Sequence, residues 1–382
     1  MQEHVIDVPL TGARSPGAKK APVRGDSRQF SCIMFWDCLT SPGWRLTSVD
    51  TPGRVDAVIA GRNQENPFMT DQRRKVILDT DIGDDVDDAL ALGLICRSPE
   101  LQLLGVTTVF GNVQARARQA RTILAKAGPA FHAIPVAMGC GASLASRPKD
   151  NTAAYLHGQL PNQDCTCLPE AELAPIQGRH AVPFLIDTIM AGAGDIIPIA
   201  IGALTNIAVA LVLEPRIAAK IPKMVVMAGE FRRSMAEWNI RCDPEAAHIV
   251  FSSDIPMDVT PYHIGDMVRL QETDIHALAV AATPLAENLA AAVAVWQHAT
   301  GRVAPALFDP MAVATLLQPD LVTWKTGTVH VELAGQHTYG MTSFDEQTSG
   351  RHRVAWEVDA DRARAYYLGR LGVAPRGESR DG

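Results

Sequence analysis

Six aspartates fall within ten consecutive positions, between two apolar runs, in the segment KVILDTDIGDDVDDALALGLI from Lys75 to Ile95. They are Asp79, Asp81, Asp84, Asp85, Asp87 and Asp88. One or two acids ahead of a helix are explained by capping and by the helix dipole, but six exceed that need and their repulsion requires a cation. Because neither His nor Cys is interleaved, Ca²⁺ or Mg²⁺ fits better than zinc. The segment therefore predicts a divalent-metal site.

Further polar residues follow or border apolar runs at four other places in the chain. They are Asn112 in TTVFGNV, Thr205 in GALTNIA, Glu237 and Asn239 in AEWNIRCDPEAA, and Asp309 in LFDPMAVA. Each alone is typical of a turn or a helix start, and Asp243 is predicted to cap the helix that it opens. In a parallel sheet, however, ligands bind at the carboxyl ends of the strands. Together with the aspartate cluster, these residues are therefore predicted to form one site.

The elements that position these residues follow from the apolar pattern. From Lys75 onward, short apolar runs such as KVILDT, LQLLGVTTV, IIPIAIG and KMVVMAG alternate with helix-like segments. Such runs are typical of parallel strands that are covered on both faces. We predict an α/β fold with a Rossmann-like, mostly parallel central sheet and helices on both faces. An Ala-rich helical segment is expected from about residue 266 to 300, followed by strands in GTVHVELAG and RVAWEVD and a closing helix.

The two ends of the chain differ from its centre. Residues 1–73 include TGARSPGAKKAPVRGDSRQ, which is rich in Gly, Pro, Arg and Ser and lacks periodicity. We expect these residues to be a poorly ordered N-terminal extension, or else translation to start at Met69. Residues 74–374 are predicted to form one catalytic domain, and residues 375–382 a disordered tail.

Charge and cysteine content argue against several classes of protein. The net charge is −7, whereas a nucleic-acid-binding surface is usually basic, so we expect a small ligand and no nucleic-acid partner. The seven cysteines are scattered and contain no CxxC pair, which argues against a disulfide framework and a zinc site. No apolar run is long enough to span a membrane, and the N-terminus lacks the apolar core of a secretory signal. We therefore expect no membrane partner and a cytoplasmic protein.

The motifs DTDIGDDVDDALAL, VTTVFGN, ALTNIA, AEWNIRCDPEAA and DPMAVA, in this order and spacing, resemble the inosine–uridine-preferring nucleoside hydrolase family. The resemblance covers about Lys75 to Gly372 and includes the TYGMTSFD strand region. It implies the nucleoside hydrolase fold and hydrolysis of the N-glycosidic bond of ribonucleosides, which yields ribose and a free base for purine or pyrimidine salvage. It also implies a Ca²⁺ cofactor, a nucleoside as the small-molecule partner, and a homo-oligomer that is a dimer or a tetramer.

The resemblance further implies roles for individual residues. The Ca²⁺ ligands would be the carboxylates of Asp81, Asp88 and Asp309 and the carbonyl oxygen of Thr205. Asp81 would also act as the general base toward the water that the ion binds. The substrate would be held by Asp87, Asn112, Met227, Glu237 and Asn239. His157, in YLHGQLP, resembles a catalytic family histidine on a loop near the base.

Two features depart from the commoner family pattern. GDDVDD holds two more residues between its Gly and the last aspartate pair, so Asp85 is a candidate to replace or supplement one of the assigned residues. The position before Asp309 is often a His that protonates the leaving base, and here it is Phe308. Base activation must then come from another residue, or the substrate must have an easier leaving group.

Two other functions stay open at the level of sequence. A haloacid-dehalogenase-type phosphohydrolase also places a DxD motif after an apolar strand, with the first Asp as nucleophile and Mg²⁺ as clamp. It would leave the EWN and LTNIA motifs without a role. A catalytically silent nucleoside- or ribose-binding protein would account for Phe308. Release of phosphate, or ribose binding without turnover, would distinguish these alternatives from the hydrolase.

Overall fold

One sheet of nine strands organises the computed structural model, which describes residues 73–145 and 161–373. The strands are β1 (Arg74–Thr80), β2 (Leu101–Thr108), β3 (Val136–Met138), β4 (Ile196–Ala200), β5 (Met224–Met227), β6 (Met257–Thr260), β7 (Val322–Val331), β8 (Thr342–Glu346) and β9 (His352–Val358). Across the sheet they lie in the order β3-β2-β1-β4-β5-β6-β9-β7-β8. Neighbours from β3 to β9 pair in parallel, whereas β7 pairs antiparallel with β8 and β9.

Helices connect and cover these strands. In the described ranges they are α1 (Asp87–Cys96), α2 (Val113–Ala127), α3 (Ala181–Ala191), α4 (Thr205–Leu213), α5 (Trp238–Cys242), α6 (Pro244–Phe251), α7 (Tyr262–Met267), α8 (Glu272–Val280), α9 (Pro284–Thr300), α10 (Phe308–Leu317) and α11 (Ala360–Leu371). Their apolar side chains form two main cores. One core includes residues of α1, α2, α9, α10 and α11, and the other includes residues of α3, α4 and α6.

Burial along β1 explains why its sequence is apolar throughout. Val76 and Leu78 belong to the first core, whereas Ile77 between them belongs to the second. Successive side chains of a strand point to opposite faces, so both faces of β1 are covered by helices. The predicted fold class, an α/β fold with a mostly parallel sheet and helices on both faces, is confirmed.

The direction of chain travel across the sheet changes at β1. The chain passes from β1 to β2 and β3 on one side, and then crosses to β4 and β5 on the other side. The connections that follow β1 and β4 therefore diverge, which opens a crevice at the carboxyl ends of these strands. The aspartate-rich turn begins there, directly after Thr80.

The Ala-rich region is described by the structure, whereas the two ends of the chain are not. The Ala-rich region near residues 266–300 is largely helical, but it is divided into α8 and α9 because Thr283 caps α9 and Pro284 occupies its first turn. Except for Arg73, the predicted extension of residues 1–73 lies outside the described residues, and so does the predicted tail of residues 375–382. None of the helices that the structure describes is long and apolar enough to cross a membrane.

Candidate functional site

A cavity of about 390 Å³ opens where β1, β4 and β5 end. Its acidic lining consists of Asp81, Asp84, Asp85, Asp87, Asp88 and Asp309. The predicted residues Met227, Glu237 and Asn239 line it as well. Residues that follow different strands, and that are far apart in the sequence, thus meet at one edge of the sheet, as a parallel α/β fold requires.

Three buried carboxylates, those of Asp87, Asp88 and Asp309, form what we call the carboxylate group. Each offers an oxygen atom, and these atoms all lie within 4.8 Å of one another. The first two stand in the first turn of α1, and the third stands in the first turn of α10. The backbone N–H of Asp309 donates to Asp87 Oδ2 at 3.2 Å, and the Thr80 hydroxyl donates to Asp88 Oδ1. Two helix N-termini therefore help to hold these acids together.

Burial governs the protonation of these acids. It raises the pKa of Asp87, Asp88 and Asp309 well above the usual value, and neighbouring carboxylates raise the pKa further. Burial also raises the pKa of Asp81 to about 6, against the lowering effect of the Arg116 guanidinium. Near neutral pH, such a cluster is costly to ionise unless a cation compensates the charge.

The donor atoms of the acidic lining fit a hard divalent cation. The carboxylate group and Asp81 supply oxygen atoms and negative charge. Among the described residues that line the cavity there is no His and no Cys, the ligands that transition metals prefer. Mg²⁺ usually takes roughly one or two carboxylates, whereas Ca²⁺ accepts a larger shell of oxygen ligands. The residues present therefore fit Ca²⁺ better than Mg²⁺ or zinc.

Two glycines permit the close packing around Asp81. Gly83 adopts φ = 132°, and a Cβ atom there would lie 2.6 Å from the Cβ of Pro161. Gly202, in the turn after β4, lies against Asp81 itself. A Cβ atom at Gly202 would be 2.8 Å from both the backbone N and the Oδ1 of Asp81. A side chain at either position would therefore displace the aspartate-rich turn.

Arg116, on α2, ties the aspartate-rich turn to the rest of the fold. Its guanidinium donates to the carbonyl oxygens of Asp81, of Ile82 (3.0 Å) and of Phe110 (2.6 Å). It also pairs with Asp84 Oδ2 at 3.0 Å. Phe110 has φ = 60°, a costly conformation for a bulky residue, and the bond from Arg116 helps to hold it. One buried side chain thus fixes both the turn after β1 and the loop after β2.

We expect Arg116→Met to lower the free energy of unfolding by about 3 kcal/mol, because three carbonyl oxygens and a carboxylate lose their donor. Denaturant unfolding of the metal-free proteins measures this change. Arg216→Met is the matched control: Arg216 pairs with Glu214 on the surface, and its replacement should leave stability almost unchanged. Equal stability of Arg116→Met and the parent protein would contradict the assigned role.

Glu237 and Asn239 stand at the start of α5, beside the end of β5. Glu237 caps this helix, since its Oε1 accepts from Asn239 N at 2.9 Å, and its Oε2 accepts from Gly229 N at 3.0 Å. Burial raises the pKa of Glu237 to about 7. Asn239 Nδ2 donates to the carbonyl oxygens of Ile201 and Met227, at 2.9 and 3.0 Å. Both side chains are therefore anchored to the backbone at the cavity.

Asp79 supports the end of β1 from outside the cavity. Its Oδ1 accepts from the Thr107 hydroxyl at 2.5 Å and from Asn206 Nδ2 at 2.8 Å. Asn206 Nδ2 also donates to the carbonyl oxygen of Thr108 at 3.1 Å. Burial raises the pKa of Asp79 to about 7. This network joins β1, β2 and α4 immediately behind Asp81.

The structure does not bring Asn112 and Thr205 to the cavity. Asn112 is the N-cap of α2, where its Oδ1 accepts from Ala115 N at 3.1 Å, so the side chain is used within its own turn. Thr205 donates its hydroxyl to Asp243 Oδ2 at 2.7 Å. Asp243 caps α6, as predicted. His157 lies outside the described residues.

Sequence patterns do not predict several other residues of the cavity. They are Arg116, Asn162, Ile201, Tyr262, Trp296, Thr300 and Arg302. Ile201 directly follows β4, and this position at a strand end indicates a residue of the site. Its apolar side chain does not, because only its backbone carbonyl oxygen could bind a cation. Trp296, Thr300 and Arg302 come from α9 and the residues after it, and nothing in their local sequence indicates that they line this cavity.

Known proteins resemble this chain over most of its length. The family model for the inosine-uridine preferring nucleoside hydrolase matches residues 76–365. The inosine-uridine preferring nucleoside hydrolase of Crithidia fasciculata is 34% identical over 287 residues, which are 71% of this chain and 88% of that protein. The Leishmania major protein of the same name is 34% identical over 309 residues, covering 76% and 94%. Among solved structures, the plant nucleoside hydrolase PpNRh1 matches with a TM-score of 0.68 and 29% identity, covering 79% of this chain and 99% of that one.

Proposed function

Because the chain belongs to the inosine-uridine preferring nucleoside hydrolase family, we propose that it cleaves ribonucleosides by a Ca²⁺-dependent hydrolysis in which Asp81 activates the water. The observation that carries the proposal is the buried carboxylate group in the cavity at the carboxyl end of the sheet. The family match does not support the phosphohydrolase alternative. Ribose and a free base are the proposed products.

We assign the cation to Asp81, Asp88 and Asp309. Asp87 belongs to the carboxylate group, so it is close enough to bind a sugar hydroxyl beside the ion. The carbonyl ligand expected from Thr205 is better supplied by Ile201, because Ile201 directly follows β4 and lines the cavity. Its carbonyl oxygen, like most backbone oxygens, has two lone pairs, and the bond from Asn239 occupies one of them.

Asp85 is better placed to shape the cavity than to bind the cation. Its Oδ1 accepts from Val86 N at 2.8 Å, and the Trp296 side chain acts against the rise in its pKa that burial causes. Gln163 Nε2 donates to its carbonyl oxygen at 2.9 Å. These contacts join Asp85 to α9 and to the segment after residue 160. We propose that the longer turn serves the substrate side of the cavity.

The reaction requires water to attack C1′ of the ribose while the bond from C1′ to the base nitrogen breaks. A bound Ca²⁺ would lower the pKa of a water molecule and fix the ribose hydroxyls. Asp81 accepts the proton of the attacking water, since its pKa of about 6 keeps most of the carboxyl ionised near neutral pH. The surrounding carboxylates stabilise the positive charge that develops on the sugar, as in other glycoside hydrolyses.

The ribose is held, in this proposal, by Met227, Glu237 and Asn239. All three line the cavity, and the bonds of Glu237 and Asn239 to backbone groups orient their side chains before the substrate binds. Such preorganisation reduces the entropy that is lost on binding and helps to align the reacting atoms. Asn112 is left out of this set because its side chain caps α2.

A panel of purine and pyrimidine nucleosides tests the proposed activity. We expect equal amounts of free ribose and free base, formed without consumption of phosphate. Phosphate release from nucleotides or sugar phosphates, with no base release from nucleosides, would instead support a phosphohydrolase. Ribose binding without turnover would identify a silent binding protein.

We expect Ca²⁺ to raise the thermal midpoint of the metal-free protein more at about pH 7.5 than at about pH 5. The raised pKa values mean that the metal-free folded state binds more protons than the unfolded state, so its stability falls as the pH rises from about 4 through 6 and beyond. Ca²⁺ binds the deprotonated carboxylates and offsets this loss. Thermal unfolding with EDTA or with Ca²⁺ at both pH values measures the rise in the thermal midpoint that Ca²⁺ causes. A larger Ca²⁺ effect at the lower pH would contradict this account.

A further inference from the structure

If the protein hydrolyses nucleosides, as proposed above, it must also stabilise the base that leaves the sugar. When the C1′–N bond breaks, its electron pair passes to the base, which leaves as an anion unless a proton donor meets it. Phe308 stands directly before Asp309 in the cavity lining, and its side chain has no proton to give. Another group must therefore supply the positive charge or the proton.

Most nitrogen donors around the cavity are already engaged. The Arg116 guanidinium is committed to backbone carbonyl oxygens and to Asp84. The Trp296 indole, which can only donate, acts against the rise in the pKa of Asp85 that burial causes. Asn239 Nδ2 donates to two carbonyl oxygens. Arg116 and Asn239 cannot turn to a substrate without leaving buried carbonyl oxygens unpaired.

Arg302 differs from these donors. It lies two residues beyond the end of α9, is exposed to solvent and lines the cavity. Its guanidinium makes no hydrogen bond or ion pair with the part of the chain that the structure describes. Asp85 and Trp296 line the same cavity. Burial raises the pKa of Asp85, and the charge of Arg302 acts against this rise. Within the described residues, a guanidinium without a hydrogen-bond partner thus lines the cavity.

We propose that Arg302 binds the departing base and stabilises its negative charge, in place of a proton donor at the position of Phe308. Two aromatic side chains line the same cavity, and the rings of Tyr262 and Phe308 stack with centroids 4.9 Å apart and an angle of 27°. Aromatic side chains suit contact with a nucleobase, and the guanidinium suits its carbonyl oxygen. The chemical class of substrate is therefore a riboside whose base can carry negative charge on an exocyclic oxygen.

The proposed step balances without any reactant besides water. The water oxygen forms a bond to C1′, and one water proton passes to Asp81. The C1′–N bond breaks, and its electron pair spreads over the ring and the exocyclic oxygen of the base. Arg302 keeps its own proton, as guanidinium groups do in proteins, and acts as a hydrogen-bond donor and a positive charge. The base anion takes a proton from solvent after it leaves.

Substrates whose leaving groups differ in stability test this role. Inosine and uridine are compared with p-nitrophenyl riboside, whose phenolate departs without assistance. We expect Arg302→Gln to lower kcat/KM for the two nucleosides by about 10- to 100-fold, which is less than the loss of a buried oxyanion donor causes. For p-nitrophenyl riboside, we expect a loss of less than about threefold. The loss of kcat/KM for the nucleosides in Arg302→Lys should lie between these limits. Guanidinium ion in solution should restore part of the activity of Arg302→Ala.

Control variants separate this role from a structural one. Arg216→Gln, at an exposed arginine remote from the cavity lining, should leave all three rates unchanged. If Arg302→Gln lowered kcat/KM equally for all three substrates, the inference would be overturned. It would also be overturned if Tyr262→Phe lowered kcat/KM for the two nucleosides more than for p-nitrophenyl riboside and Arg302→Gln did not. If the parent protein releases ribose from none of the three substrates, the proposed function fails and the inference falls with it. A failure of the inference alone is therefore distinguishable.

Discussion

Asp81→Asn is expected to lower kcat/KM for inosine and uridine by about 10⁴-fold while leaving the fold intact. The substitution removes the proposed proton acceptor and one negative charge from the acidic lining, but it keeps the shape of the side chain. The backbone of this residue stays fixed, because Arg116 donates to its carbonyl oxygen and Gly202 packs against it. Since the carboxyl is buried with a raised pKa, its neutral amide should not destabilise the metal-free protein.

Steady-state kinetics measures the loss of kcat/KM, and circular dichroism shows whether the fold is intact. Asp195→Asn is the matched control, because Asp195 is an exposed aspartate that pairs with Lys75 at the opposite edge of the sheet, just before β4. That variant should keep full activity. Near-normal turnover by Asp81→Asn would remove Asp81 from the catalytic role.

Asp88→Asn is expected to abolish the response to Ca²⁺ without lowering the stability of the metal-free protein. Ca²⁺ affinity should fall by at least about 100-fold, since even residues that only orient metal ligands often cost that much. Burial and the nearby Asp81 raise the pKa of Asp88, so replacing its carboxyl by a neutral amide relieves repulsion when no ion is bound. Asn retains an oxygen that can accept from the Thr80 hydroxyl. The thermal midpoint in EDTA should therefore be unchanged or higher.

Calorimetric titration with Ca²⁺ and thermal unfolding in EDTA measure these effects. Asp85→Asn, in the same turn, serves as the comparison, because the Asp85 carboxylate accepts from Val86 N and lies outside the carboxylate group. It should retain Ca²⁺ affinity within about threefold of the parent. If Ca²⁺ stabilised Asp88→Asn as much as the parent protein, the ligand assignment would be wrong.

The fold and the acidic lining could be predicted because their signals are local. Continuous apolar runs indicate strands buried on both faces, and acids directly after β1 must lie at the carboxyl edge of a parallel sheet. Position at a strand end does not, however, give the direction of a side chain. Asn112 follows β2 but turns back to cap α2, and Thr205 lies a turn beyond Ile201 and bonds Asp243.

The substrate side of the cavity depends on contacts between distant segments. Trp296 and Arg302 reach the site through the packing of α9, and Tyr262 reaches it through its stacking on Phe308. The longer aspartate turn also makes a contact between distant segments, because Asp84 pairs with Arg116 on α2. No spacing rule in the sequence relates these residues, so they become visible only in three dimensions.

The most direct test of the central claim follows ribose release by EDTA-treated protein as Ca²⁺ is added back. With inosine or uridine as substrate, we predict no release in EDTA and a return of activity over the same Ca²⁺ concentrations that raise the thermal midpoint. That agreement would link the carboxylate group to the hydrolysis of the N-glycosidic bond. Ribose release at an undiminished rate in EDTA would contradict the account.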